Sequence, residues 1–150
     1  RELAQAFHGK LPILYGLGFW QGLIANRWKC QINENAKCHA FFHTYPELDH
    51  NEILGWIGAH SQAAQYHGAA LVAPDASAKM RTRHKVTERL IGPQCPFTTV
   101  EAQGNDLLSQ MLSLTYFGDF VSMYLSALNG ADPTTIPHID TLKAELEKVA

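Results

Sequence analysis

Glu34 sits among amides and a cation in the run Asn33-Glu34-Asn35-Ala36-Lys37, and His50 opens the run His50-Asn51-Glu52 sixteen positions further on. An ordinary glutamate is ionised at neutral pH and can accept a proton. An ordinary histidine changes charge near neutrality, so it can both give and take one. Together they are the parts needed to move protons on a substrate, with a cation nearby to bind an anion or offset developing negative charge. Two lysines could supply that cation. Lys37 stands beside Glu34, and Lys143 lies in the run Ile139 to Leu146. Each residue also has a plainer reading. A glutamate at a helix end is more often a solvated surface group than a base. His50 fits a helix N-terminal residue bonded to local backbone, and Lys143 fits a surface lysine paired with Glu147 four residues on. Asn33, Asn35, Asn51 and Glu52 read as structural, because amides at turns bond the backbone. Arg27 and Trp28 read as braces of the same region.

Cys30, Cys38, His39, His43 and His50 invite a metal reading, which geometry opposes. On a strand Cys38 and His39 point to opposite faces. His39 and His43 share a face but stand about 13 Å apart at strand rise, too far for one ion. Neither a metal nor any other cofactor is expected.

These residues must be held by elements. Leu11 to Tyr15 is a short apolar run ending in Gly16-Leu17-Gly18, the pattern of strand, glycine turn and helix. The helix is expected from about Phe19 to Asn33, with Trp20, Leu23, Ile24 and Trp28 as its apolar face. A second strand is expected over Cys38 to His43, stopped by Pro46. Leu48 to Trp56 reads as a loop leading into a helix, with Asp49 as N-cap and Glu52 completing a capping box. Gly68 to Pro74 is apolar on both parities, as a strand buried on both faces should be. A helix capped by Asp75 or Ser77 then ends near Ile91-Gly92-Pro93. Phe97 to Ala102 is a fourth strand. Asn105 opens the longest helix, which runs to about Asn129-Gly130 and is apolar around most of its circumference. Such a helix is expected to be buried on two sides, which in a small domain points to a subunit or interdomain interface; the plainer reading is a central core helix. A last helix is expected over Ile136 to Val149. Alternating strands and helices predict an α/β fold, a three-layer αβα sandwich on a mostly parallel, flavodoxin-like sheet.

The 150 residues suit one domain with its own core, and 46% hydrophobic against 17% charged residues is a globular composition. A net charge of −2 gives no electrostatic reason to expect nucleic acid or an anionic membrane as partner. The densest basic group, Lys79, Arg81, Arg83, Lys85 and Arg89, reads as a solvated helix face. Three cysteines without regular spacing argue against a disulfide framework and fit a reducing, cytoplasmic setting. No apolar run is long enough to span a bilayer. Opening on Arg1, the chain reads as a domain excised from a longer protein.

The motifs RW-x-x-Q-x-NENAK (Arg27 to Lys37) and PEL-x-HNE-I-x-GW (Pro46 to Trp56) resemble those of the C-terminal half of the bifunctional phosphoglucose/phosphomannose isomerases, a branch of the sugar isomerase (SIS) superfamily. The resemblance runs from Pro12 to Lys143. It implies an SIS fold and cofactor-free interconversion of glucose 6-phosphate and mannose 6-phosphate with fructose 6-phosphate through a cis-enediol. It makes Glu34 the base between C1 and C2 and His50 the ring-opening group, reaching the active site of a neighbouring subunit in a homodimer. It makes Lys143 a cation at the sugar phosphate, with Lys37 a weaker candidate. The family's serine- and threonine-rich phosphate loop lies in a first SIS domain and has no counterpart here, so the chain is expected to be half of an active enzyme and inactive alone. Two rivals belong to other classes: a sugar-phosphate sensor and a catalytically silent domain. The intact Glu34 and His50, and the lack of a DNA-binding helix-turn-helix, disfavour the sensor.

Overall fold

The computed structural model describes residues 1–149. Its elements, in chain order, are α1 (Glu2–Phe7), β1 (Leu11–Gly16), α2 (Phe19–Ala36), β2 (Phe41–Thr44), α3 (Glu52–Gly55), α4 (His60–Ala63), β3 (Tyr66–Val72), α5 (Ala78–Ile91), β4 (Phe97–Glu101), α6 (Leu107–Leu128) and α7 (Pro137–Leu146). Short 3₁₀ turns at Glu47–Asp49 and Trp56–Gly58 flank α3. The four strands form one parallel sheet in the order β2-β1-β3-β4. This is the expected doubly wound α/β architecture.

Residue parity in the central strands builds the three layers. Leu14, Ala69 and Leu71 point to one face, where α1, α2 and α6 cover them through Phe7, Ile24, Trp28, Ile32, Leu114, Val121 and Leu125. Ile13, Tyr15, Ala70 and Val72 point to the other, under Tyr45, Leu48, Trp56, Ala63 and Ile91. A strand buried on both sides must be apolar at every position, and β3 meets that from Gly68 on.

The seam between α2 and α6 is tight because of one missing side chain. A Cβ at Gly118 of α6 would collide with the indole of Trp28 on α2. The glycine lets the two helices approach until Trp28 Nε1 donates to the Leu114 carbonyl at 2.8 Å. Arg27 and Gln31 both bond the Asp119 carboxylate, at 3.1 and 3.0 Å, and Asn35 donates to Ser122 Oγ at 2.9 Å. Four successive contacts therefore fix the C-terminal half of α2 to α6.

Several expected boundaries move. The helix α2 continues three residues past Asn33, so Glu34 lies in its last turn and not in a loop. Leu23, expected on its buried face, is exposed. Cys38 to Ala40 are not strand; β2 begins only at Phe41, once the chain has cleared the end of α2. Asn51, not Asp49, caps α3, its side chain accepting from the Glu52 N–H. The 3₁₀ turn carries Asp49 toward α5 instead, where Arg83 and Thr87 hold it. Asp106 rather than Asn105 caps α6, with Ser109 closing the capping box. Ser77 caps α5, and α7 starts on Pro137 and stops at Leu146. The basic group on α5 is only partly a solvated face: Arg81 caps the Ala73 and Ala76 carbonyls, and Arg83 pairs with Asp49.

The longest helix, α6, buries one face only. Leu107, Leu108, Leu112, Tyr116, Phe120, Met123 and Tyr124 remain exposed, and α7 buries no residue while exposing Ile139, Leu142 and Leu146. Among the described residues no helix is long and apolar enough to cross a membrane.

Candidate functional site

Helix α2 runs back along the sheet after β1, so its last turn lies at the amino ends of the strands. Cys38, just beyond that turn, reaches the Lys10 carbonyl that precedes β1. At the other end of the sheet the Tyr45 N–H bonds the Gly16 carbonyl where β1 and β2 finish. Glu34 and His50 are therefore at opposite ends of the sheet and share no cleft.

Glu34 is exposed and lines a cleft of about 800 Å³. Lys29, Asn33, Lys37 and His39 share its wall, and Asp132 and Thr135 to Ile139 form the facing one. The backbone around Glu34 is heavily tied. Asn33 Oδ1 accepts from the Ala40 N–H at 3.0 Å, which fixes the exit of the helix. Asn129 Nδ2 donates to the Ala36 carbonyl at 3.0 Å. Lys37 adopts the left-handed conformation, φ 51°, and turns its ammonium back onto the Glu34 carbonyl at 2.6 Å. That cation thus caps the helix end. Among the described contacts the carboxylate makes none, and Glu34 is exposed along the cleft. Partial burial raises the Cys38 thiol on the same wall, so it stands there neutral.

His50 follows the 3₁₀ turn Glu47–Asp49 at the carboxyl end of β2, and its N–H bonds the Glu47 carbonyl. It is exposed, in a hollow of about 400 Å³ shared with Pro46, Glu47, Asp49 and Arg83. Beneath it lies a polar network that the sequence does not foreshadow. Asp49 receives Arg83 Nη1 at 3.0 Å and Thr87 Oγ1 at 2.8 Å. Glu52 accepts from the Tyr15 hydroxyl at 2.5 Å, and Trp56 Nε1 donates to that hydroxyl at 3.1 Å. Burial, and then the Glu52 charge, push the Tyr15 phenol far above its ordinary range, so it stays protonated and donates. A tyrosine at the end of an apolar strand gives little sign in the sequence of being such a donor.

Lys143 is exposed on α7, one turn beyond Ile139, the last residue of that helix on the cleft wall. The pairing with Glu147, its plainer reading, is not made among the described residues; Lys148 pairs with Glu145 at 2.6 Å. Of the four residues singled out by type and spacing, Glu34 and Lys37 share the amino-end cleft, Lys143 stands beside it, and His50 is remote.

Comparison with known proteins places this geometry in a class. A glucose-6-phosphate isomerase like protein from Thermus thermophilus superimposes with a TM-score of 0.72 at 20% identity, over 88% of this chain and 44% of that one, which establishes a shared fold. Residues 1–146 match the family described as "Bacterial phospho-glucose isomerase C-terminal SIS domain", and the chain belongs to that family. The bifunctional phosphoglucose/phosphomannose isomerase of Caldicellulosiruptor bescii is 36% identical over 99% of this chain and 44% of its own length. Its Aquifex aeolicus counterpart is 32% identical over 100% of this chain and 47% of its own length. The chain spans about half the length of the curated relatives it matches.

Proposed function

We propose that this domain is the C-terminal half of a bifunctional sugar-phosphate isomerase that interconverts glucose 6-phosphate and mannose 6-phosphate with fructose 6-phosphate. The observation that carries the reading is Glu34: an exposed glutamate lining a cleft, on a helix end that four side chains fix to α6 and three further bonds close. A general base works only if it is held where the proton is, and this one stands on a rigid element.

His50 protonates the ring oxygen while water accepts the C1 hydroxyl proton, and the C1–O5 bond breaks to open the hemiacetal. Glu34 takes the C2 proton of the open aldose, and the electron pair becomes the C1–C2 double bond of a cis-enediol(ate). The carbonyl oxygen at C1 gains a proton, the C2 hydroxyl loses one, and Glu34 returns its proton to C1. A cation offsets the enediolate charge or holds the phosphate; Lys143, one turn outside the cleft, is assigned this role, with Lys37 as a further substrate contact. Rotation about C2–C3 presents the C2 proton of either epimer to the same base. No metal or organic cofactor is required for these proton transfers.

His50 of one chain cannot serve Glu34 of the same chain, so the reading assigns it to the site of a second copy in a homodimer, with two composite sites per dimer. The preceding SIS domain supplies the phosphate loop. The uncovered apolar faces of α6 and α7 support such neighbours. Mixing the full-length Glu34→Gln and His50→Ala proteins under subunit exchange tests the arrangement. Each alone is expected to be nearly inactive, and the mixture to regain about a quarter of wild-type turnover, because half the dimers are hybrid and each hybrid holds one intact site. No recovery in verified hybrids contradicts the composite site.

A further inference from the structure

We propose that Asp49 and Glu52 are positioning residues for His50, tying the chain on either side of it to two different buried elements so that its ring is presented outward in one place. The inference rests on the ring-opening role assigned to His50 above.

Each other side chain of the turn is occupied. Glu47 Oε1 receives Asn51 Nδ2 at 2.8 Å. Leu48 is buried completely in the core. Asp49 uses both carboxylate oxygens on α5, one for Arg83 and one for Thr87. Asn51 Oδ1 caps the Glu52 N–H at 2.6 Å. Glu52 reaches down to Tyr15 on β1. Of the polar side chains from residue 47 to residue 52, among the described contacts, only that of His50 makes no hydrogen bond. A surface turn that needed stability alone would have no reason to leave the histidine as its one free group.

Both anchors are stiff. The Asp49 side chain is 11% exposed, and Thr87, which holds it, is 2% exposed. The buried Nε of Arg83 has no partner, so its side chain depends on Asp49 through Nη1. Removing that carboxylate leaves a half-buried cation unpaired, and the turn must rearrange to rehydrate it. At the other anchor the direction of the bond is fixed by chemistry. An indole N–H can only donate, so Trp56 takes the acceptor side of the Tyr15 hydroxyl and the phenolic proton must point at Glu52. The two anchors come from opposite sides in sequence, one residue before His50 and two after, and from α5 and β1 in space. A proton-transfer group displaced by about 1 Å loses roughly 100-fold in rate, which gives such a clamp its purpose.

The test uses the full-length protein with a cyclic hexose 6-phosphate as substrate. Asp49→Asn and Glu52→Ala are expected to lower kcat roughly 10- to 100-fold with KM little changed. Glu52→Gln keeps an oxygen acceptor for Tyr15 and is expected to restore turnover to within about threefold of wild type, as a hydrogen-bonded anchor requires. The deciding readout is the same substitutions in a His50→Ala background. If they act through His50 they cost nothing further there. Equal losses in both backgrounds, or full turnover in Asp49→Asn and Glu52→Ala, overturn the proposal. If Asp49→Asn does not fold, the Glu52→Ala and Glu52→Gln pair decides alone. Should His50→Ala itself leave turnover unchanged, the ring-opening assignment fails first and the positioning role falls with it. That outcome is distinct from a His50 effect that the two carboxylates do not share.

Discussion

Glu34 occupies a position that stability alone would not choose. It lies in the last turn of α2, where the carbonyl end of the helix dipole repels a carboxylate by about 0.3–1 kcal/mol. The Lys37 ammonium on the Glu34 carbonyl offsets part of this without covering the carboxylate. Glu34→Gln is therefore expected to leave the fold unchanged or raise its stability by up to about 0.5 kcal/mol in urea unfolding, while turnover in the full-length enzyme falls by several orders of magnitude. Marked destabilisation would make Glu34 a structural residue. The sequence singles out Glu34, His50 and Lys37 as candidates by residue type and neighbours. It did not carry the partners of Asp49. Arg83 lies in a run of alternating basic residues that reads as solvated, and nothing local shows that the 3₁₀ turn will swing Asp49 to meet a residue thirty-four positions away in sequence.

At the scale of elements, the strand and helix order was legible because β1 and β3 are short apolar runs bounded by glycine and proline, and α2, α5 and α6 are long. Boundaries failed where tertiary contacts decide them. Cys38 to Ala40 look like strand, yet the Asn33 side chain and the Lys10 carbonyl hold them as the exit from α2. The seam of α2 with α6 is the element pair that fixes Glu34, and at Gly118 it leaves no room for a Cβ beside Trp28. Gly118→Ala is expected to cost about 1–3 kcal/mol by overpacking against Trp28, seen as a thermal midpoint several degrees lower. An unchanged midpoint would mean that the helices are free to separate. A second seam joins α5 to the sheet through His84, which bonds Tyr45 and Thr99 and sits almost fully buried. Burial lowers its pKa below the ordinary 6.5 against the opposing pull of Glu88 and Asp49. On acidification the unfolded chain then takes up a proton at His84 before the folded one does. Stability from this residue is complete above about pH 6.5 and declines as pH falls from there toward the folded pKa. The thermal midpoint is expected to drop between pH 7 and 5, and to drop less in His84→Gln. An equal drop in both proteins would remove His84 as a cause.

For the whole molecule, the informative fact is separation. The base candidate and the histidine stand at opposite ends of a parallel sheet, and the longest helix presents Tyr116, Phe120 and Tyr124 to solvent. The apolar circumference of α6 was visible in its sequence, whereas the remoteness of His50 from Glu34 was not. Sixteen residues look close until a strand crosses the length of the sheet between them. On the proposed reading, a domain so arranged holds only part of the site. Residues 1–150 alone are therefore expected to show no isomerase turnover, and wild-type turnover by them would remove the need for a second copy and a preceding domain.

If Glu34 moves a proton between C1 and C2, that proton exchanges with water while it rests on the exposed carboxyl, and solvent hydrogen reaches the substrate through it. Fructose 6-phosphate is converted in deuterated water by the full-length protein, and deuterium is measured at C2 of the aldose 6-phosphates formed. Incorporation at C2 is expected with the wild-type protein, and its loss in Glu34→Gln. Incorporation that persists in Glu34→Gln would assign the base to another residue. A wild-type protein that binds fructose 6-phosphate but incorporates no deuterium and forms no aldose would contradict the enzyme reading and make the domain a sugar-phosphate sensor or a silent partner.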